Sequence, residues 1–330
     1  MHKYSGIIDD PRKDLKVING WSVDEVLPQS ASFEWKKKDK LKSYPVWNQA
    51  GSSACVAFSK AKQLSIKIFI LTGVWIDFSP ASIYQLRINQ GQLGMHIPNA
   101  NEIVAKRGAT LEALMKSQNL TEDQINTVKR TKVADLFAKA IAEAVVAYFY
   151  FPQGTNIDRL AQALEAGKNP TLLVYGTYAE WSKKVPVILD SNVTYEGAEV
   201  RHEVVCEDYY LNKNGVKCLK IGDSAHFGGY TEREVTEDFF NKRCILSDVI
   251  ETFSFEGGEG DKPKYDGSII SVQRCLKYEG LLAVEVPEIE NFGPLTQQAI
   301  MKFQVRYGLH PTGVPNIGPM TRAKLQELYS

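Results

Sequence analysis

From Ser53 onward the apolar positions fall at helical spacing. Ala57, Ala61, Leu64, Ile68 and Leu71 follow one another at steps of four, three, four and three, so they share one face of a helix that Gly73 ends. The same period predicts a second helix over Lys132 to Val146, buried through Val133, Leu136, Phe137, Ala140, Ile141 and Ala144. A third runs from Ile157 to Ala166 and closes at Gly167. The pattern then changes: Thr171 to Tyr175, His202 to Tyr210 and Val216 to Asp223 read as strands. Leu211-Asn212-Lys213-Asn214-Gly215 joins the last two as a hairpin, because Asn-Gly supplies the positive φ angles of a tight turn. Helices first and strands later is an α+β order, not an alternating one.

Glu256-Gly257-Gly258-Glu259-Gly260-Asp261-Lys262-Pro263-Lys264 breaks the pattern; rich in Gly, Pro and charge, it reads as a linker. Beyond it the chain is mostly helical, with two Gly-Pro turns, Gly293-Pro294 and Gly318-Pro319, each followed by a threonine, Thr296 and Thr321, suited to cap the next helix. Ala299, Ile300, Phe303 and Leu325 are its expected core. At 330 residues a large domain plus a small one is the natural division. The expected boundaries are an N-terminal segment at 1–26, a main domain at 27–255, a linker at 256–266 and a small domain at 267–330.

Charge adds little. The 39 basic and 39 acidic residues cancel, which gives no support to a nucleic-acid partner. The densest basic run, Lys36-Lys37-Lys38-Asp39-Lys40, reads as a solvated surface segment. No stretch approaches the ~20 apolar residues of a membrane helix, and Met1 to Asp14 lacks the apolar core of a secretory signal. The expectation is cytoplasmic synthesis, with no membrane partner and with release by lysis or packaging in a virus particle.

Five cysteines, at 55, 206, 218, 244 and 275, include no Cys-x-x-Cys pair, which argues against a zinc or dithiol site; no metal or cofactor is expected. Cys55 stands out. It lies just inside the start of the first helix, behind Ser52 and Ser53 as alternative N-caps, where unpaired N–H groups and the dipole favour a thiolate. By position alone a small core residue fits equally well.

The neighbouring residues decide between the two. Pro45-Val46-Trp47-Asn48-Gln49-Ala50-Gly51-Ser52-Ser53-Ala54-Cys55-Val56-Ala57-Phe58-Ser59 resembles the segment around the nucleophilic cysteine of papain-like cysteine peptidases. The resemblance extends to Leu27-Pro28, to Phe33-Glu34-Trp35 and to Phe78-Ser79-Pro80-Ala81-Ser82-Ile83-Tyr84. It implies a two-lobed α+β peptidase fold, Cys55 as nucleophile, and Gln49 as an oxyanion-hole donor beside the Cys55 N–H. Each such donor supplies about 3 kcal/mol in a dry site. Ser52 and Val56 depart from the family, which has a disulfide cysteine and a tryptophan there.

A thiol nucleophile needs a base and a group to orient it. His202-Glu203-Val204-Val205-Cys206-Glu207-Asp208-Tyr209-Tyr210 is similar to the family strand that opens with the catalytic histidine, and His202 follows Cys55 by 147 residues, within the roughly 130–150 expected. On the returning strand, Asp223 stands where the family has the orienting asparagine, and Ala225 where it has a shielding tryptophan. Hairpin length alone leaves open which faces His202 and Asp223 occupy. His226 is the rival base. The middle third, Gly94 to Phe151, matches less well.

Phe292-Gly293-Pro294-Leu295-Thr296-Gln297-Gln298-Ala299-Ile300-Met301-Lys302-Phe303-Gln304, with Gly308-Leu309, Thr312-Gly313 and Gly318-Pro319-Met320-Thr321, resembles the all-α three-helix peptidoglycan-binding domain of wall hydrolases. Together these imply a cysteine peptidase acting on protein or peptide, with residues 267–330 as a peptidoglycan tether that raises local concentration. The alternatives are an inactive papain-fold binding or structural protein, such as a particle component, and a peptidoglycan endopeptidase or amidase.

Overall fold

The computed structural model describes residues 4–5, 21–23, 27, 33–151, 155–252, 262–282, 286, 288–290, 292–309 and 317–330. Pro28, the 256–261 part of the expected linker, and Thr312-Gly313 lie outside them, as do His2 and His310.

After the short strands β1 (Tyr4–Ser5) and β2 (Trp21–Ser22), the chain builds a helical lobe. It contains α1 (Cys55–Thr72), α2 (Pro80–Tyr84), α3 (Ile97–Arg107), α4 (Glu122–Thr127) and α5 (Lys132–Ala144). A sheet lobe follows: β3 (Val145–Tyr150), α6 (Ile157–Glu165), β4 (Thr171–Gly176), α7 (Tyr178–Trp181), β5 (Val200–Leu211), β6 (Lys217–Gly222), β7 (Glu232–Thr236), α8 (Glu237–Arg243) and β8 (Cys244–Thr252). Then come α9 (Ile269–Tyr278), α10 (Pro294–Arg306) and α11 (Pro319–Tyr329). The sheet order is β2-β3-β8-β4-β5-β6-β7, with β1 added parallel to the start of β5. This is the α+β, two-lobed arrangement expected, followed by a three-helix unit.

The predicted elements appear with shifts that have local causes. Ala144 ends the second expected helix, because β-branched Val145 and Val146 turn into β3. The turn after β5 closes through Asn212, whose N–H donates to Val216 O at 3.0 Å, with Gly215 at φ 75°. Strands β1, β2, β3, β7 and β8 have no counterpart among the expected elements.

Helix α1 is the largest departure. Its expected face is buried through Ile68, but Leu71 is 56% exposed. Its opposite, polar side is buried too, because α1 is sandwiched between the helical lobe and β5. Lys60 has no exposed surface; its ammonium bonds Asp248 at 2.7 Å, Glu203 at 2.9 Å and Thr171 at 2.9 Å. Lys62 reaches Glu207 at 2.5 Å. Buried charges persist only when paired in this way. The basic run is likewise less free than its composition suggested, since Lys36 pairs with Asp208 and Lys38 with Glu234, both at 2.5 Å.

The C-terminal unit has its own core of Val272, Cys275, Leu276, Ala299, Ile300, Phe303 and Leu325, which Tyr265 joins from the chain before α9. Its threonines do not cap. Gly293 and Gly318 are the N-caps, with Pro294 and Pro319 opening the helices, while Thr296 and Thr321 sit inside and accept from the buried amides of Gln273 and Gln304 at 3.1 and 3.0 Å. The unit is also docked: α10 packs on α5 and α1, and Met301 and Val305 are buried within the helical lobe's core.

Candidate active site

Cys55 is the first residue of α1, and the cap is Ala54 rather than either serine. Ser52 instead donates its hydroxyl to Gln49 O at 2.8 Å, and the Ser53 N–H donates to Glu122 at 2.7 Å. Glu122 also accepts from the Tyr84 hydroxyl at 2.7 Å, so the Ser-Pro-to-Tyr segment is tied to the turn that carries the cysteine. The thiol lies against the backbone of Glu203, the residue after His202, and Ser59 one turn on donates to Glu203 O at 2.7 Å. These contacts bring α1 and β5 together at the cysteine and the histidine.

His202 Nε2 is 2.9 Å from Asp223 Oδ1. Asp223 also accepts from the Ala225 N–H at 2.8 Å and from Arg233 Nε at 2.6 Å. Burial opposes its ionisation, but His202 and Arg233 outweigh burial and hold the carboxyl well below the usual range.

Gln49 is buried beside this group. Its Nε2 donates to Ser52 O and its Oε1 accepts from Ser224 Oγ, both at 2.7 Å, while its N–H donates to Ser224 O at 2.9 Å. The Ser224 contacts join the loop after β6 to the turn before α1. His226 reinforces this joint. Held in the left-handed region at φ 53°, it places Nε2 2.9 Å from Trp47 O. The four expected site residues, Cys55, His202, Asp223 and Gln49, therefore gather where α1, β5 and the β6–β7 loop meet.

Three residues here were missed. Ala225 is no shield, but Phe227 and Trp181 each present a ring edge-on to His202, at centroid separations of 5.8 and 6.1 Å. Phe227 is placed by Gly228, at φ 61°, where an added Cβ would lie 2.1 Å from Ser182 O. Arg233, fully buried, is the third. A tryptophan in a capped turn and an arginine in a strand carry no catalytic pattern in sequence, so no local signal marked them.

The site is closed. Cys55 and His202 have no exposed surface, and the adjoining cavity, lined by Trp47, Ser59, Lys62, Gly222, Asp223 and Ser224, holds about 10 Å³. Burial pushes the Cys55 thiol up to about 12, more than the backbone N–H groups of Glu203 and Val56 offset. The five cysteines are all free. No group of metal-binding side chains exists among the described residues, and none of their helices is long and apolar enough to cross a membrane.

Residues 266–326 match the family described as "Putative peptidoglycan binding domain". Among solved structures the chain is similar to xylellain, a cysteine protease from Xylella fastidiosa, at 17% identity and a TM-score of 0.57, over 77% of this chain and 98% of that one. It is also similar to digestive procathepsin L 3 of Tenebrio molitor larval midgut, at 13% identity and a TM-score of 0.52, over 72% and 77%. No curated protein matches the chain by sequence. The chain thus joins a body with the fold of papain-like cysteine proteases to a C-terminal domain of the peptidoglycan-binding family.

Proposed function

We propose that the protein is a latent cysteine peptidase in which Cys55, His202, Asp223 and Gln49 do the chemistry. The observation that carries this reading is the His202–Asp223 pair, at 2.9 Å, set against the first turn of the helix that Cys55 opens. In the active form the thiol proton passes to His202 Nδ1, and the thiolate adds to the substrate carbonyl. The oxyanion is held by the Cys55 N–H and a Gln49 Nε2 hydrogen. His202 then returns its proton to the leaving amine, and water, deprotonated by His202, releases the acid from the thioester.

Residues 1–26 act as a short pro-like piece ahead of a 27–255 peptidase domain. Supporting this, β1 pairs in parallel with β5 at Val200 and Arg201, the two residues before His202. Residues 256–266 link to the 267–330 domain, which directs the enzyme to peptidoglycan; the substrate is a protein or the peptide of the wall itself. A second reading, an inactive papain-fold binding or structural protein, is favoured by the complete burial of Cys55, which pushes its thiol pKa up.

Hydrolysis of a fluorogenic peptide library under reducing conditions, by wild type and Cys55→Ala, tests the choice. Turnover lost in the variant supports the peptidase. No turnover, with no labelling of Cys55 by a peptide-mimicking epoxide, leaves the binding protein. New amino groups released from purified walls would identify the wall peptide as substrate.

A further inference from the structure

Arg233 is a fully buried cation that the proposed chemistry does not use. From β7 it donates Nε to Asp223 Oδ2, one amino group to Lys183 O and the other to Phe227 O, each at 2.6 Å. Its guanidinium lies 4.9 Å from the centroid of Trp181, the ring that faces His202. One side chain therefore holds the orienting carboxylate and both rings beside the histidine.

We infer that Arg233 is a positioning residue that makes Asp223 act on His202 as a neutral acceptor. An aspartate alone in a buried site presses a full negative charge on the imidazole, whereas a carboxamide oxygen offers only a dipole. With its second oxygen bound to Arg233, the Asp223–Arg233 pair carries no net charge, yet keeps an oxygen on Nε2. The pair thus reproduces the carboxamide's electrostatics with charged residues. The four groups sum to zero both before and after the Cys55 proton moves to His202, so the transfer leaves no net charge in the closed site. Among the other charges around His202, Glu203 on β5 and Asp248 of β8 share the single ammonium of Lys60 of α1, and Glu180 of α7 is matched with Arg243 of α8 at 3.0 Å. Lys183 contributes only its carbonyl.

The inference rests on the proposed roles of His202 and Asp223, but its test does not need turnover. The ring signals of His202 are followed by NMR against pH in the full chain, for wild type, Arg233→Met, Asp223→Asn and the double variant. Arg233→Met should move the protonation midpoint up by about one pH unit, and Asp223→Asn should move it down by a similar amount. The double variant should return close to wild type. Where Arg233→Met does not fold, Arg233→Lys keeps the cation and should leave the midpoint in place, and the double variant carries the comparison. Lower melting temperatures with no movement of the midpoint in the single variants, or a double variant displaced as far as Asp223→Asn, would overturn the inference and leave Arg233 a structural clamp. Peptide hydrolysis measured alongside reports separately on the peptidase reading.

Discussion

Asp223 meets the ring of His202 on one face of the sheet because β5 is bulged at Glu207. Nearer the turn, Tyr209 pairs with Leu219 and Asp208 with Lys220; beyond Glu207, Cys206 pairs with Ile221 and Val205 with Gly222. The extra residue shifts the register by one. Were Glu207 paired in turn with Ile221, Asp223 would fall opposite Val205, on the face away from His202; with Glu207 left unpaired, Asp223 falls opposite Val204, on the His202 face. Deleting Gly222, which pairs with Val205, would set Asp223 opposite Val205 and is expected to abolish the His202–Asp223 bond and lower peptide hydrolysis at least 100-fold, in the range of losing an orienting group. Glu207→Gln, which keeps the residue count, should retain most activity. Equal loss in both variants would assign the effect to the Lys62 and Lys220 contacts of Glu207 instead.

The rings beside His202 keep water from its bond to Asp223. Phe227→Ala should lower kcat about tenfold with little change in KM, because the bond then competes with solvent. A change confined to KM would place Phe227 in substrate binding. Melting should also fall, since truncating a buried phenylalanine costs about 3–5 kcal/mol.

Closure of the site predicts latency. A proline in place of Ser5 removes the β1 N–H and its fixed φ disfavours the parallel pairing with β5. The Ser5→Pro variant should alkylate at Cys55 at least tenfold faster than wild type near pH 7. Unchanged alkylation would show that β1 is not what limits access.

The carboxyl of Glu203 is raised from 4.5 to about 7, by burial first and by Asp248, against the pull of Lys60. Between those values the folded protein holds a proton that the unfolded chain has lost, so this group's contribution is full below about pH 4.5 and is lost as pH rises through 7. Asp223, Glu180 and Glu234, held low, act in the opposite sense and lose their contribution as pH falls below the usual carboxylate range. Thermal stability should therefore peak at mildly acidic pH. Glu203→Gln should raise the melting temperature at about pH 8 by a few degrees, at roughly 2–4 °C per kcal/mol, and do less at about pH 5. An equal effect at both values would rule out titration of Glu203.

Docking of the C-terminal domain predicts cooperative unfolding. Met301→Arg puts a charge into the helical lobe's core. Calorimetry should show one transition in wild type and two in the variant, with the three-helix core around Phe303 melting separately. A single transition in both would mean that the α10–α5 contact does not couple the domains.

Local pattern made much of this protein legible before any fold was known. The helix that begins at Cys55, the strand that opens with His202, the Asn-Gly hairpin and the Gly-Pro turns are each specified by residues within a few positions of one another. Period, turn chemistry and motif spacing report on such neighbours directly. What only the tertiary structure decided depends on residues far apart in the chain. Lys60 reads as the exposed side of an amphipathic helix, yet it is buried, because Asp248, Glu203 and Thr171 arrive from three strands to pair with it. Arg233, Trp181 and Phe227 have no pattern of their own and gain a role only where β7, α7 and the β6–β7 loop converge on His202. The face of Asp223 turned on one unpaired residue, since a strand's side chains alternate and a single insertion reverses them.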